Sequence, residues 1–140
     1  MPSRLALLGV PTSAGAFAPG QERAPRELRR AGLVGRLRDA GVEVDDLGDS
    51  EVWRWRPDAA SRSAQNLGAV CDIARDTARR VERALAAGGG PLLVLGGDCT
   101  IEIGTVAGHL ARDERAGLVY FDLHPDLNTP ESVRPGALDW

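Results

Sequence analysis

An uninterrupted apolar run, LALLGV, occupies residues 5–10 and ends at Pro11. A strand with one face in water alternates apolar and polar residues, whereas a strand covered on both faces is apolar throughout. The proline that follows cannot donate to a β-ladder, so it marks the end of the strand. The run therefore predicts a short β-strand that is buried on both faces.

Helical and strand-like patterns alternate along the rest of the chain. Apolar residues at helical spacing predict helices at residues 26–40, 64–87 and 101–112. Strand-like runs occupy residues 42–47, 91–95 and 118–121. The first of these runs alternates apolar and acidic residues, so we expect it near a sheet edge. Strands and helices that alternate at this spacing are typical of an α/β protein with a parallel sheet, and no linker divides residues 1–140 into two domains.

Composition excludes several classes of protein. The formal net charge is −3, so the chain has no basic field to hold nucleic acid or an anionic membrane surface. Two cysteines are too few for a disulfide framework. No apolar stretch approaches the about 20 residues of a membrane span. We expect a soluble cytoplasmic protein with neither nucleic acid nor membrane as a partner.

The motif D-x-H-x-D follows the last apolar run and comprises Asp122, His124 and Asp126. Alternate residues of an extended chain share a face, so these three side chains are expected to converge. Two carboxylates and one imidazole form a natural shell for a divalent cation, with a donor set that favours Mn²⁺. Aspartates near a proline are also common in loops, and the alternative is that Asp122 caps a turn.

Two motifs, in the same order and at a similar separation, resemble the arginase and agmatinase (ureohydrolase) superfamily. Residues 96–100, G-G-D-C-T, resemble the G-G-D-H-S segment of that family, and residues 122–130 resemble its D-A-H-x-D-x-N-T-P segment. The layout of the first 33 residues is also similar. The resemblance implies a three-layer α/β/α fold with a parallel sheet, of which residues 1–140 are the N-terminal portion of a single arginase-like domain.

The resemblance also implies a metal centre. Members of the family use two Mn²⁺ ions to activate the water that attacks a guanidine or amidine carbon. By position, Asp122 would bridge the two ions, His124 would bind one and Asp126 the other. Cys99 stands where the family has its first metal-binding histidine, and a thiolate there would shift the preference toward Zn²⁺.

The resemblance also implies a substrate-binding residue within the second motif and a catalytic residue after it. Asn128 corresponds to a substrate-contacting position. Asp139 stands where arginases have a histidine thought to shuttle protons, and is the candidate catalytic residue. The residues between them differ from those that hold the amino-acid end of arginine. The implied reaction is therefore hydrolysis of a non-peptide C–N bond in a linear guanidine or amidine of unspecified identity.

The resemblance implies that these 140 residues are only part of the domain. The family's remaining metal carboxylates, in a D-x-D segment, belong to its second half. In the family's strand order, 2-1-3-8-7-4-5-6, the fourth strand lies between the fifth and the seventh, so residues 118–121 would lack pairing partners here. We expect the 140-residue chain alone to be inactive and the complete protein to be a homo-oligomer. The alternative is a non-catalytic arginase-like scaffold or regulatory protein that has lost part of its metal site.

Overall fold

A parallel sheet of three strands forms the centre of the molecule. The computed structural model describes residues 3–88, 90–112, 115, 117–122, 124, 126 and 129. The strands are β1 (Ser3–Gly9), β2 (Val42–Asp49) and β3 (Leu92–Leu95), in the order β2-β1-β3. This order confirms that β2 is an edge strand, and the apolar β1 lies in the middle.

Four α-helices and one short 3-10 helix connect and cover the strands. The 3-10 helix spans Gln21–Arg23. The α-helices are α1 (Ala24–Arg30), α2 (Leu33–Asp39), α3 (Leu67–Ala86) and α4 (Ile101–Leu110). None of the helices in the described part of the chain is long and apolar enough to cross a membrane.

Two apolar clusters lie on opposite sides of the sheet. In one, Leu7, Val44 and Leu95 of the strands meet the apolar residues of α2. In the other, Val10 and the loop after β1 meet Val70 and Ile73 of α3, with Ile101 of α4 packed against them. Helices therefore cover both faces of the sheet, and the architecture is α/β/α as the sequence predicted.

The prediction of one helix over residues 26–40 is wrong, because the structure has two. Gly32 adopts a left-handed backbone conformation, φ 88°, between the end of α1 and the start of α2. This conformation favours glycine because a β-carbon would be strained there. The change of direction lets Leu33, Val34 and Leu37 contact the sheet, although the apolar spacing in the sequence runs on across the break.

The prediction of a fourth strand is also wrong for the chain as it stands, since residues 118–121 form no strand. Val119 and Phe121 are almost fully exposed, whereas a buried strand would cover both. A strand requires a neighbour to complete its backbone hydrogen bonds. The three strands seen among the described residues do not supply one. The result agrees with the expectation that this segment lacks its partners.

Candidate metal centre

Cys99 lies at the carboxyl end of the sheet, in the turn that joins β3 to α4. Gly97 makes this turn possible, because a β-carbon at residue 97 would collide with the backbone of Thr12. The backbone N–H of Asp98 donates to the carbonyl oxygen of Thr12 at 2.8 Å. The turn is therefore held directly against the loop that leaves β1.

Asp98 is a buried carboxylate that joins these two segments. Its side chain accepts hydrogen bonds from the backbone N–H groups of Gly15 and Thr100, both at 3.0 Å. It also accepts from the hydroxyl groups of Thr12, at 3.5 Å, and Thr100. Burial raises the pKa of Asp98 above its ordinary value, and these four donors act in the opposite direction.

Three side chains with metal-binding chemistry converge next to this turn. Ligand atoms of Cys99, Asp122 and Asp126 all lie within 4.8 Å of one another. The sulfur of Cys99 donates a hydrogen bond to Oδ2 of Asp122 at 3.8 Å. The group thus joins the turn after β3 with the segment after residue 121, and it combines two carboxylates with one thiol.

Tyr120 belongs to the same cluster, although no sequence pattern had marked it as a site residue. Its hydroxyl donates to Oδ2 of Asp126, and it lies 3.4 Å from Oδ2 of Asp122. A sequence signal was present, because Tyr120 lies two residues before Asp122 and alternate residues of an extended chain share a face. The phenol and the thiol therefore both donate hydrogen bonds to the two carboxylates.

Proximity to the carboxylates favours the protonated forms of both donors. Burial, followed by the contact with Asp126, raises the pKa of the Cys99 thiol to about 12. The same two causes, in the same order, raise the pKa of Tyr120. The thiol and the phenol therefore donate hydrogen bonds to the two carboxylates. A cation bound through Cys99 would have to replace the thiol proton.

His124 lies outside the group of three. Its Nδ1 atom is 3.9 Å from Oδ1 of Asp122, and its side chain is 73% exposed. Its backbone N–H donates to the same oxygen at 3.0 Å. The alternate-residue rule requires an extended chain, whereas the backbone bends at His124. The structure thus brings Asp122 and Asp126 together with Cys99 and leaves the imidazole of His124 in solvent.

The two remaining candidate residues, Asn128 and Asp139, lie outside the described residues. Their proposed roles in substrate binding and catalysis stay predictions.

Comparison with known proteins identifies the family. The family model described as the arginase family matches residues 3–137. The chain belongs to the arginase family. An arginase from Bacillus caldovelox is 36% identical over 137 residues, which cover 96% of this chain and 45% of that protein. Human arginase-1 is 31% identical, with 96% of this chain and 41% of that protein covered.

Solved arginases share the fold described above. The crystal structure of the arginase from Bacillus cereus matches with a TM-score of 0.76 and 32% identity, over 96% of this chain and 44% of that one. The chain spans less than half the length of the curated arginases that it matches. The parallel sheet and its covering helices are therefore part of an arginase-like α/β fold.

The side chains of this group have the chemistry to hold a divalent cation. Three potential ligand atoms already converge, so only a modest adjustment would bring them around one ion. Carboxylate oxygens suit hard cations, and a thiolate adds a soft donor that suits Zn²⁺ better than Mn²⁺. Cys99, Asp122 and Asp126 are thus the residues of the described chain that would hold it.

Proposed function

We propose that residues 1–140 form the N-terminal portion of a single arginase-like domain, and that the complete domain is a metal-dependent ureohydrolase. Its substrate class would be small linear guanidines or amidines, cleaved at a non-peptide C–N bond. Membership of the arginase family supports the reaction class. As in the family, the complete protein would act as a homo-oligomer.

One observation carries the proposal more than any other. Cys99, Asp122 and Asp126 are separated by up to 27 positions in sequence, yet their ligand atoms lie within 4.8 Å of one another. They meet where β3 ends, and ligands of α/β proteins gather at the carboxyl ends of the strands. A cluster of this composition and position favours a metal centre over a set of unrelated surface acids.

Each residue would have a distinct task in this centre. Asp122 and Asp126 would supply the negative charge that holds the cation, and Cys99 would release its proton and complete one side of the shell. The cation, when bound, supplies Lewis acidity and lowers the pKa of water. The backbone N–H of His124 donates to Oδ1 of Asp122, and its imidazole Nδ1 lies 3.9 Å from the same oxygen. Rotation of this exposed side chain would let the imidazole join the shell.

A second candidate function is a non-catalytic scaffold that keeps the arginase fold for assembly or regulation. Two observations favour it. The Cys99 thiol, whose pKa is raised to about 12, keeps its proton and donates a hydrogen bond to Asp122, which satisfies the carboxylate without a metal. The imidazole of His124, in turn, is exposed rather than directed into the cluster.

Metal content and hydrolysis by a complete arginase-like domain that contains residues 1–140 separate the two functions. The enzyme would carry close to two ions per chain, as the family does, and would release urea or ammonia from a panel of guanidines and amidines. An Asp126→Ala variant of the same protein should lose metal and activity together. A purified protein with neither metal nor hydrolysis would establish the scaffold instead.

A further inference from the structure

Asp98 is the most thoroughly bonded side chain near the candidate metal centre, although it is not itself part of the cluster. The residue is 1% exposed. One oxygen of its carboxylate accepts from Thr100, through both the backbone N–H and the hydroxyl. The other oxygen accepts from Gly15 and Thr12. A single carboxylate therefore connects the start of α4 to the loop after β1.

The loop on the far side of Asp98 is itself fixed. The backbone of Ser13 is held in place, because its N–H donates to the carbonyl oxygen of Trp53 at 2.9 Å. Its hydroxyl oxygen accepts from the backbone N–H of Trp55 at 3.0 Å. Thr12 orients the next turn, since its hydroxyl oxygen accepts from the N–H of Ala14 at 3.0 Å. Asp98 is thus attached to a rigid support.

Cys99 lies between the two residues that this arrangement holds in place. Asp98 is fixed through its backbone N–H and its side chain, and Thr100 is fixed through its own N–H and hydroxyl. Because both neighbours are held, the backbone of residue 99 is restrained, and its sulfur donates to Oδ2 of Asp122. A ligand that is held in advance loses less freedom when it binds a metal.

We propose that Asp98 is a positioning residue of the metal centre, which fixes the direction of the Cys99 sulfur by tying Thr100 to the loop after β1. The inference rests on the proposed metal centre and adds a residue that binds no metal itself. It predicts that weakening the hydrogen bonds of Asp98 changes how Cys99 coordinates a cation, beyond any general loss of stability. Loss of a hydrogen-bonded support of this kind costs about tenfold in metal affinity.

The mildest way to weaken the hydrogen bonds of Asp98 is to remove the one donated by the Thr100 hydroxyl. Thr100→Val removes the hydroxyl and keeps the side-chain shape, whereas Thr100→Ser keeps the hydroxyl and is the rescue variant. Thr77→Val is the control for replacing a buried threonine without breaking a hydrogen bond, because Thr77 lies buried on α3 and its hydroxyl has no partner among the described residues. Asp98→Asn is the stronger change, used only if its urea unfolding curve shows a folded chain.

The test is titration of the 140-residue chain with Co²⁺, whose thiolate complexes absorb strongly in the near ultraviolet. The absorption intensity at saturation reports coordination by Cys99, and the titration midpoint reports affinity. Thr100→Val should bind about tenfold more weakly and show a weaker thiolate absorption. Thr100→Ser and Thr77→Val should match the parent in both. Parent-like binding and absorption in Thr100→Val would overturn the inference.

A metal-free measurement separates this inference from the proposed function. In a Cys71→Ser background, the rate at which iodoacetamide alkylates Cys99 should rise severalfold in Thr100→Val and stay at the parent rate in Thr100→Ser. If the parent binds no Co²⁺ but the alkylation rates differ in this way, the positioning role stands and the metal centre fails. If Co²⁺ binds while neither readout distinguishes Thr100→Val from Thr100→Ser, the metal centre stands and the positioning role fails.

Discussion

The sulfur of Cys99 lies 3.8 Å from Oδ2 of Asp122, so that the turn after β3 meets a segment 23 residues further along the chain. The contact joins a residue in which this chain departs from the G-G-D-H-S pattern to a residue in which it keeps the D-x-H-x-D pattern. If Cys99 and Asp122 serve as two metal ligands, the enzyme is favoured. If they serve only as a hydrogen bond between a thiol and a carboxylate, the scaffold is favoured.

Cys99→His should raise Mn²⁺ occupancy at neutral pH. A neutral imidazole binds without losing a proton, whereas the thiol has to lose one and its pKa is about 12. Nitrogen is also a better donor than sulfur for a hard ion. Titration of the 140-residue chain with Mn²⁺ measures the effect, and Cys99→Ser is the control that should bind no better than the parent. Equal Mn²⁺ affinity in Cys99→His and the parent would place Cys99 outside the metal shell.

The 140-residue chain alone should release no urea from arginine or agmatine, with or without added Mn²⁺. Its described residues supply only one group of three converging ligand atoms, whereas the family's chemistry uses two ions. A colorimetric urea assay, run beside a complete arginase as a positive control, checks this. Urea release at a rate typical of enzymes would require a site other than the one described.

Gly104→Ala should destabilise the chain by about 1–3 kcal/mol, because overpacking a closely fitted interface costs that much. A β-carbon at residue 104 would meet the carbonyl oxygen of Ala74 and lie 2.8 Å from the β-carbon of Thr77, where α4 packs against α3. Helix propensity alone predicts the opposite sign, by about 1 kcal/mol. Gly35→Ala, in α2 with nothing within 4 Å, is the control and should stabilise. Urea unfolding measures both.

Arg29→Met should lower the free energy of unfolding by about 1–2 kcal/mol near neutral pH. Arg29 donates two hydrogen bonds to Asp46, both at 2.9 Å, and one to Asp49 at 2.5 Å, which fastens α1 to the end of β2. Urea unfolding of the variant beside the parent measures the loss. Arg75→Met is the control, because its ion pair with Asp72 is exposed and should contribute little.

The ion pair between Arg29 and Asp46 makes the stability of the chain depend on pH. The hydrogen bonds from Arg29 hold the pKa of Asp46 below its ordinary value. An acid with a lowered pKa in the folded state stabilises the fold above its unfolded pKa, and that contribution is lost as the pH falls through the folded pKa. The difference in stability between parent and Arg29→Met should therefore stay constant down to about pH 5 and shrink between about pH 5 and about pH 2. A difference that stays constant over this range would show that Asp46 is not the titrating partner.

How much the sequence revealed depends on whether a feature is local. The apolar runs of β1 and β3 were sufficient to predict parallel strands, because a short continuous apolar run between turn residues is typical of a strand covered on both faces. Most of β1 is buried as predicted, whereas Leu95 is the only fully buried residue of β3. The break at Gly32 was missed, since the apolar spacing continues from α1 into α2. Residues 118–121 have the composition of a strand, but a strand also needs a neighbour, and none of the three strands in the described structure is one.

In the candidate site, too, the local features could be predicted from the sequence and those that depend on distant contacts could not. The acidic motif was identified from its position directly after an apolar run, and Cys99 was identified from the family resemblance. The rule that alternate residues share a face did not place the imidazole of His124 in the cluster, because the rule applies only to an extended chain and the backbone bends at His124. The hydrogen bonds of Asp98 with Gly15 and Thr12 depend on the approach of a segment more than 80 residues away, which no local pattern specifies.

The most direct test of the metal centre is titration of the 140-residue chain with Zn²⁺, followed by equilibrium dialysis and metal analysis. The cluster of two carboxylates and one thiol predicts about one Zn²⁺ bound per chain, with the release of a proton from the thiol. Asp126→Ala and Cys99→Ser should each reduce that occupancy sharply, while Asp72→Ala, on the exposed face of α3, should leave it unchanged. Zn²⁺ binding that is absent in the parent, or unaffected by Asp126→Ala and Cys99→Ser, would contradict a metal centre at Cys99, Asp122 and Asp126.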